Sequence, residues 1–206
     1  MKLPAQGTVG MPTTQGFLEK LFIDGLGTSV KYSDINGSAY TNKNFKPANA
    51  AKNYATMDAR YNSYADQIEF QQNKQIFVLP KDNKFSRIEF LDSNEVLVLL
   101  NLNGKEGYAF ELFSGNNKAL LRKVITKLNV PEKSKNSYAS DDTTPSFVTT
   151  SHYYIGLGDK FIEVPSRRKR IFDQFPEQKK ELEAKVKTNN IDINTDKGLI
   201  DFVKLL

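Results

Sequence analysis

Residues 95–128, EVLVLLNLNGKEGYAFELFSGNNKALLRKVITKL, hold three strands and two turns in one unbroken run. Residues 95–102 are rich in valine and leucine, the composition of a strand placed centrally in a sheet. Asn103-Gly104 supplies the two positive-φ positions of a tight hairpin. Residues 108–113 run back, Ser114-Gly115-Asn116-Asn117 turns again, and residues 119–128 complete a meander.

Strand patterning extends to either side. Upstream, residues 66–70 and 75–79 read as strands around an Asn73-Lys74 turn, with Pro80 ending the second. Residues 85–90 loosely alternate apolar and polar side chains, as in a sheet with one wet face. Between residues 30 and 60, turn residues crowd around isolated Tyr32, Tyr40 and Phe45, predicting short strands linked by exposed loops. The first 29 residues are weakly patterned. Thr13-Thr14 is read as opening a short helical turn carrying Phe17, Leu18, Leu21 and Phe22, against the grain of Gly16, Gly25 and Gly27.

Downstream, residues 131–145 read as a polar loop. Residues 146–155 and 161–164 then form a last hairpin, turning at Gly156 and Gly158. From there the apolar period changes from two to 3.6. Ser166 is expected to cap a short helix to Phe175, Pro176 to begin a second reaching Asn189, and Thr195 to cap the last. Leu182, Val186, Leu199 and Val203 would form one apolar seam. The predicted fold is α+β: an antiparallel, meandering sheet (sandwich or partly open barrel) over residues 30–164, with a small helical unit at 165–206 packed on it.

Composition bounds the chemistry. The 206 residues include 39% hydrophobic and 26% charged side chains, which describes a soluble globular chain of one domain or slightly more. Residues 96–100 are the longest apolar stretch, far short of a membrane span. Met1-Lys2 is followed by Leu3-Pro4-Ala5-Gln6-Gly7 without the apolar core of a secretory leader, so the chain reads as cytoplasmic or as one whose leader has been removed. A single histidine, His152, and no cysteine exclude a Cys–His pair and a thiolate zinc site. The residue types present point away from an enzyme and imply no cofactor and no metal.

Each candidate site has a plainer reading beside it. Arg167-Arg168-Lys169-Arg170 carries the densest part of a net charge of +5 and is a candidate anion-binding run. The plainer reading is a solvated helix face whose Ile171, Phe172 and Phe175 turn inward, and nucleic acid is disfavoured because basic and aromatic residues are not interleaved. His152, between Ser151 and Tyr153, would need a carboxylate brought near by folding to act as a base. Asp192-Ile193-Asn194-Thr195-Asp196 opens like a calcium loop, but Lys197 and Val203 stand where glycine and glutamate belong, which favours a helix cap. Asp141-Asp142 reads as solvated loop. Tyr40, Tyr61, Tyr64, Tyr153 and Tyr154 are candidate partner-binding residues, with cross-strand packing as the alternative.

A resemblance enters through scattered positions. Gly37-Ser38-Ala39-Tyr40 followed by Phe45 resembles the GSPYL…F start of a group of exported proteins of unassigned function common in Bacteroidota-type bacteria. Residues 60–70, RYNSYADQIEF, are similar to that group's RYN-x-Y-x-D-x-IEF strand, and Tyr153-Tyr154 to its YY hairpin. Residues 175–183 resemble its FP-x-x-K-x-E-x-E helix, while Ala39 departs from the group's usual proline. The resemblance covers residues 30–206 and implies export to the periplasm or cell envelope. The expected function is therefore that of a non-enzymatic envelope protein acting through binding or assembly with a protein or envelope partner. A carboxylate-based hydrolase and a binder of anionic surfaces through residues 167–170 are the alternatives.

Overall fold

The computed structural model describes residues 11–13, 20–22, 29–50, 55–131 and 144–206. The chain folds mostly as antiparallel sheet, with short helices at its C-terminal end. It divides into two compact units, one within Met1–Asn94 and Val124–Thr150, the other Glu95–Lys123 with Ser151–Leu206. No helix among the described residues is long and apolar enough to cross a membrane.

The first unit is built from β1 (Met11–Thr13), β2 (Lys20–Phe22), β3 (Ser29–Lys31), β4 (Lys46–Asn49), β5 (Met57–Asn62), β6 (Gln67–Gln72), β7 (Gln75–Val78) and β8 (Arg87–Phe90). Its strands lie in the order β1-β7-β6-β5-β4-β8, while β2 and β3 pair separately. Asn73 and Lys74 form the predicted two-residue turn, both at positive φ (50° and 63°), which matches the right-handed twist of the strands they join. Of the helical turn expected from Thr13-Thr14, only Thr13, Leu21 and Phe22 fall on described residues, and these lie in strands. Thr13 ends β1 opposite Ile76, and Leu21 lies in β2 opposite Val30. Phe17 and Leu18 lie outside the described residues. Ile68, Ile76, Leu79 and Ile88 are buried in this unit.

The second unit contains β9 (Val96–Leu102) and β10 (Lys105–Gly115), with β11 (Lys118–Asn129) and β12 (Ser146–Leu157) each lying partly in it, and β13 (Lys160–Glu163). These strands are neighbours in chain order. Asn103-Gly104 makes the predicted two-residue hairpin, at φ of 53° and 86°, while the turn expected over Ser114–Asn117 narrows to Asn116-Asn117, at φ of 51° and 61°, because Ser114 and Gly115 continue β10. No pairing among the described strands returns either series to its start, so neither closes into a barrel. One expected turn is misplaced: β12 continues through Gly156, which pairs with Phe161, and the chain reverses at Gly158, where φ is 61°.

Alternation of side chains along β11 and β12 serves two apolar clusters. Leu120 and Ile155 pack with the helical tail, whereas Leu121 packs with Val98, Leu102 and Ala109, joined by Tyr154 and Phe161. The tail comprises a 3-10 helix (Arg168–Gln174), a 3-10 turn at Pro176–Gln178, α1 (Lys179–Thr188) and α2 (Asp196–Leu205). Ser166 does not cap the first of these. Arg167 precedes it with no side-chain cap, so this short segment is held by Ile171 and Phe172 in the core. Leu182, Leu199 and Val203 are buried with Phe202 as expected, and Val186 packs at their edge.

Thr195 caps α2, its Oγ1 accepting from the Gly198 N–H at 3.0 Å. Thr195→Ala is expected to cost about 1 kcal/mol, the usual loss of a hydroxyl cap, with Thr195→Ser retaining nearly all of it. Urea midpoints of the three proteins check this; equal midpoints for all three would refute the cap.

Candidate functional site

The RYNSYADQIEF segment is a hairpin rather than a single strand, because Asp66 takes φ of 53° and turns the chain between β5 and β6. Pairing sets Arg60 opposite Glu69. Arg60 is 7% exposed and Glu69 0% exposed, so an ion pair is sealed inside the first unit. Arg60 donates to Glu69 Oε2 from Nε at 2.8 Å, and its Nη2 lies 2.7 Å from the same oxygen. Its Nη1 reaches the Lys43 carbonyl at 3.1 Å, and Nη2 donates to the Tyr40 hydroxyl at 2.9 Å. The rings of Tyr40 and Phe45 cover the guanidinium at 3.9 and 4.4 Å.

Glu69 Oε1 accepts from Asn62 Nδ2 at 2.9 Å, and Asn62 Oδ1 in turn accepts the Tyr64 and Ala65 N–H groups of the turn. Tyr61, buried, donates to Asp66 at 2.7 Å, and Lys81 meets the other oxygen of Asp66 at 2.8 Å. These side chains of the RYNSYADQIEF segment thus form a clamp that fixes one hairpin. Their polar atoms serve the fold.

The five candidate tyrosines are divided between the two units. Tyr40 and Tyr64 pack edge-to-face with Tyr32 in the first unit, at 6.0 and 6.1 Å, and Tyr64 meets Phe147 at 5.3 Å. Tyr153 and Tyr154 belong to the second unit and enter opposite clusters. Tyr153 donates to Asp196 Oδ1 at 2.6 Å, Arg122 donates to Asp196 Oδ2 at 3.2 Å, and Arg168 lies over the Tyr153 ring at 4.2 Å.

Burial, then the hydrogen bond and negative charge of Asp196, hold the Tyr153 phenol above its ordinary value of 10.0. A raised folded-state pKa means that this contribution is complete below pH 10.0 and is lost as pH rises through the folded value. Wild type is therefore expected to lose stability above about pH 10 more steeply than Tyr153→Phe. Melting curves across that range, with phenolate absorbance, check it; parallel profiles would show that Tyr153 ionises as it does when unfolded.

Folding does bring a carboxylate to His152: Nδ1 lies 3.0 Å from Glu163 Oε1, with both side chains open to solvent. In the basic run, Arg167, Lys169 and Arg170 are exposed, Arg170 lies 3.8 Å from Asp173, and Arg168 is engaged on Tyr153. Asp192 acts as a turn former, its Oδ1 accepting from Asn194 N at 3.1 Å and Nδ2 at 2.9 Å. Among the described residues, no three histidine, cysteine or acidic side chains are grouped to hold a metal. Asp141-Asp142 lies outside the described residues.

Sequence reasoning missed a cleft of about 390 Å³ in the second unit. Val98, Leu100, Ala119, Leu121 and Phe161 give it an apolar lining, and Glu111, Asn116, Asn117 and Lys118 supply polar groups. The two hairpin tips beside it are joined, since Gly158 N–H donates to the Asn117 carbonyl at 3.0 Å. Phe161 lies across Gly156: a β-carbon there would stand 3.3 Å from both the Phe161 ring and Ala119 Cβ. The available signal is the small pair Ala119 and Gly156 within a strand pattern, which the reading of Gly156 as a turn residue hides.

The chain matches no protein-family model, no curated protein and no solved structure. Its class is defined by its own architecture: antiparallel sheet in two compact units, with helices completing the core of the second.

Proposed function

We propose that this chain is a non-enzymatic, exported cell-envelope protein that acts through binding or assembly. The observation that carries the binding part is the cleft of the second unit, whose size and mixed lining suit recognition of a partner group. Export and an envelope partner rest on the RYNSYADQIEF, GSAY and YY resemblances, and the clamp explains why such a motif would mark a fold without marking an activity. Residues 165–206 are read as a helical unit serving that fold. Exposed Arg167, Lys169 and Arg170 support a second reading, attachment to an anionic surface.

The test is expression with the native leader in the original host, cell fractionation, and quantitative mass spectrometry of what co-purifies. Recovery in the envelope with a stoichiometric partner is expected. Recovery in the cytoplasmic fraction, or reproducible turnover of a defined substrate by the pure protein, would overturn the proposal. Binding that weakens steeply with salt and on neutralising Arg167, Lys169 and Arg170 would favour the anionic-surface reading instead.

A further inference from the structure

We infer that the cleft of the second unit takes an uncharged amphiphile, an apolar chain ending in a hydroxyl-bearing head; this rests on the binding reading above. Its volume of about 390 Å³ is near the lower end of the roughly 300–1,000 Å³ usual for small-ligand sites, which suits one short chain rather than a two-chain lipid.

Strand alternation sets which side chains reach the cleft. The helical tail packs on the face of Leu120 and Ile155, whereas Val98 and Leu121 share the opposite face, with Phe161 packed against them. Ser114 stands opposite Ala119, and so on the face of Leu121. The lining is segregated along that face. Val98, Leu100, Leu121 and Phe161 form an apolar end. The polar end is the tip of the β10–β11 hairpin, where Ser114, Asn116 and Asn117 bring one hydroxyl and two amides that make no side-chain hydrogen bond among the described residues.

The two charged residues at the cleft do not call for a charged ligand. Glu111 is already engaged. Lys118 falls in the alternation of Leu120, which places its side chain on the tail's face and its backbone beside the cleft. A fatty acid would bring its carboxylate towards Glu111, a like charge, and an alkylammonium would have to displace the partner that Glu111 already has. A free sugar would leave the apolar end uncovered. An uncharged amphiphile covers that end and presents its hydroxyls to Ser114 and the two amides. The bond between the Gly158 N–H and the Asn117 carbonyl holds the two hairpin tips together before any ligand arrives, which reduces the ordering cost of binding.

The test uses the full chain, isotopically labelled and titrated below micelle formation. The probes are octyl glycerol ether, octanoate and octylammonium, which share one chain and differ in head charge, and glycerol, which lacks the chain. Saturable amide shifts are expected at Leu100, Ala119, Gly156 and Phe161 with the ether and none with glycerol. The two charged probes should bind about tenfold more weakly, the effect of one uncompensated charge contact. Ser114→Ala combined with Asn116→Gly removes two contacts to the head while glycine keeps the positive φ of that turn, and should weaken ether binding by about tenfold. Ala119→Leu, which fills the cleft, should abolish binding, with unchanged circular dichroism showing that the fold persists.

No saturable shift with the ether, equal or tighter binding of either charged probe, shifts of the same size with glycerol, or full affinity in the turn variant would each overturn the ligand assignment. Fractionation and co-purification read the envelope proposal separately, so that loss of this ligand leaves their result intact.

Discussion

Glu69→Ala is expected to lower stability by about 3–5 kcal/mol, the cost of leaving one member of a buried ion pair without its partner. Glu69 is 0% exposed and takes contacts from Arg60 and Asn62, so truncation strands a guanidinium lying between two aromatic rings. Water cannot readily replace the carboxylate in so closed a place. Arg60→Ala should cost a similar amount, because it strands Glu69. The double substitution should cost clearly less than the sum, since removing both charges removes the uncompensated one. Equilibrium urea unfolding of the four proteins measures the coupling. Additive losses would mean that the two side chains act independently, and a loss below about 1 kcal/mol for Glu69→Ala would place the pair among ordinary solvated ones.

Much of this architecture was legible because its determinants are local. Asn73-Lys74, Asn103-Gly104 and Asn116-Asn117 tolerate positive φ, and each stands between runs with strand composition, so turn and register follow together. The last helix was legible for the same reason: Thr195 caps it, and Leu199, Phe202 and Val203 recur on one face. What escaped depended on partners distant in sequence. Nothing local tells that Arg60 and Glu69 face each other, because the turn at Asp66 arises from a non-glycine residue at positive φ. Gly156 reads as a turn residue because glycine often is one; its place beneath the Phe161 ring becomes evident only when β12 and β13 are paired. The cleft escaped with it, since its lining comes from several strands, each of which reads as ordinary half-buried sheet.

Gly198→Ala sets two effects of opposite sign against each other, and their magnitudes decide the result. Alanine favours a helix interior over glycine by about 1 kcal/mol, so propensity alone predicts a more stable protein. Gly198 lies in the first turn of α2, however, where a β-carbon would fall on the carbonyl group of Asp192 and against the amide nitrogen of Ile193. Both are backbone atoms and cannot swing aside as a long side chain would. The Asp192 carbonyl is also the acceptor for the Thr195 N–H at 3.1 Å and its hydroxyl at 2.9 Å, so moving the loop disturbs the cap. Moving the helix instead unseats Leu199, Phe202 and Val203, all 0% exposed, and pulls Asp196 from Tyr153 and Arg122. Overpacking usually costs about 1–3 kcal/mol and occasionally more, and with both escape routes this tightly held the upper end applies: a net loss of about 3 kcal/mol. For a chain of this size that corresponds to a fall in Tm of roughly 6–12 °C. Ala184→Gly, on the exposed part of α1, supplies the comparison, since it carries only the propensity cost of about 1 kcal/mol. A Gly198→Ala protein as stable as wild type, or more so, would mean that α2 and the Asp192 turn do not approach as closely as this packing requires.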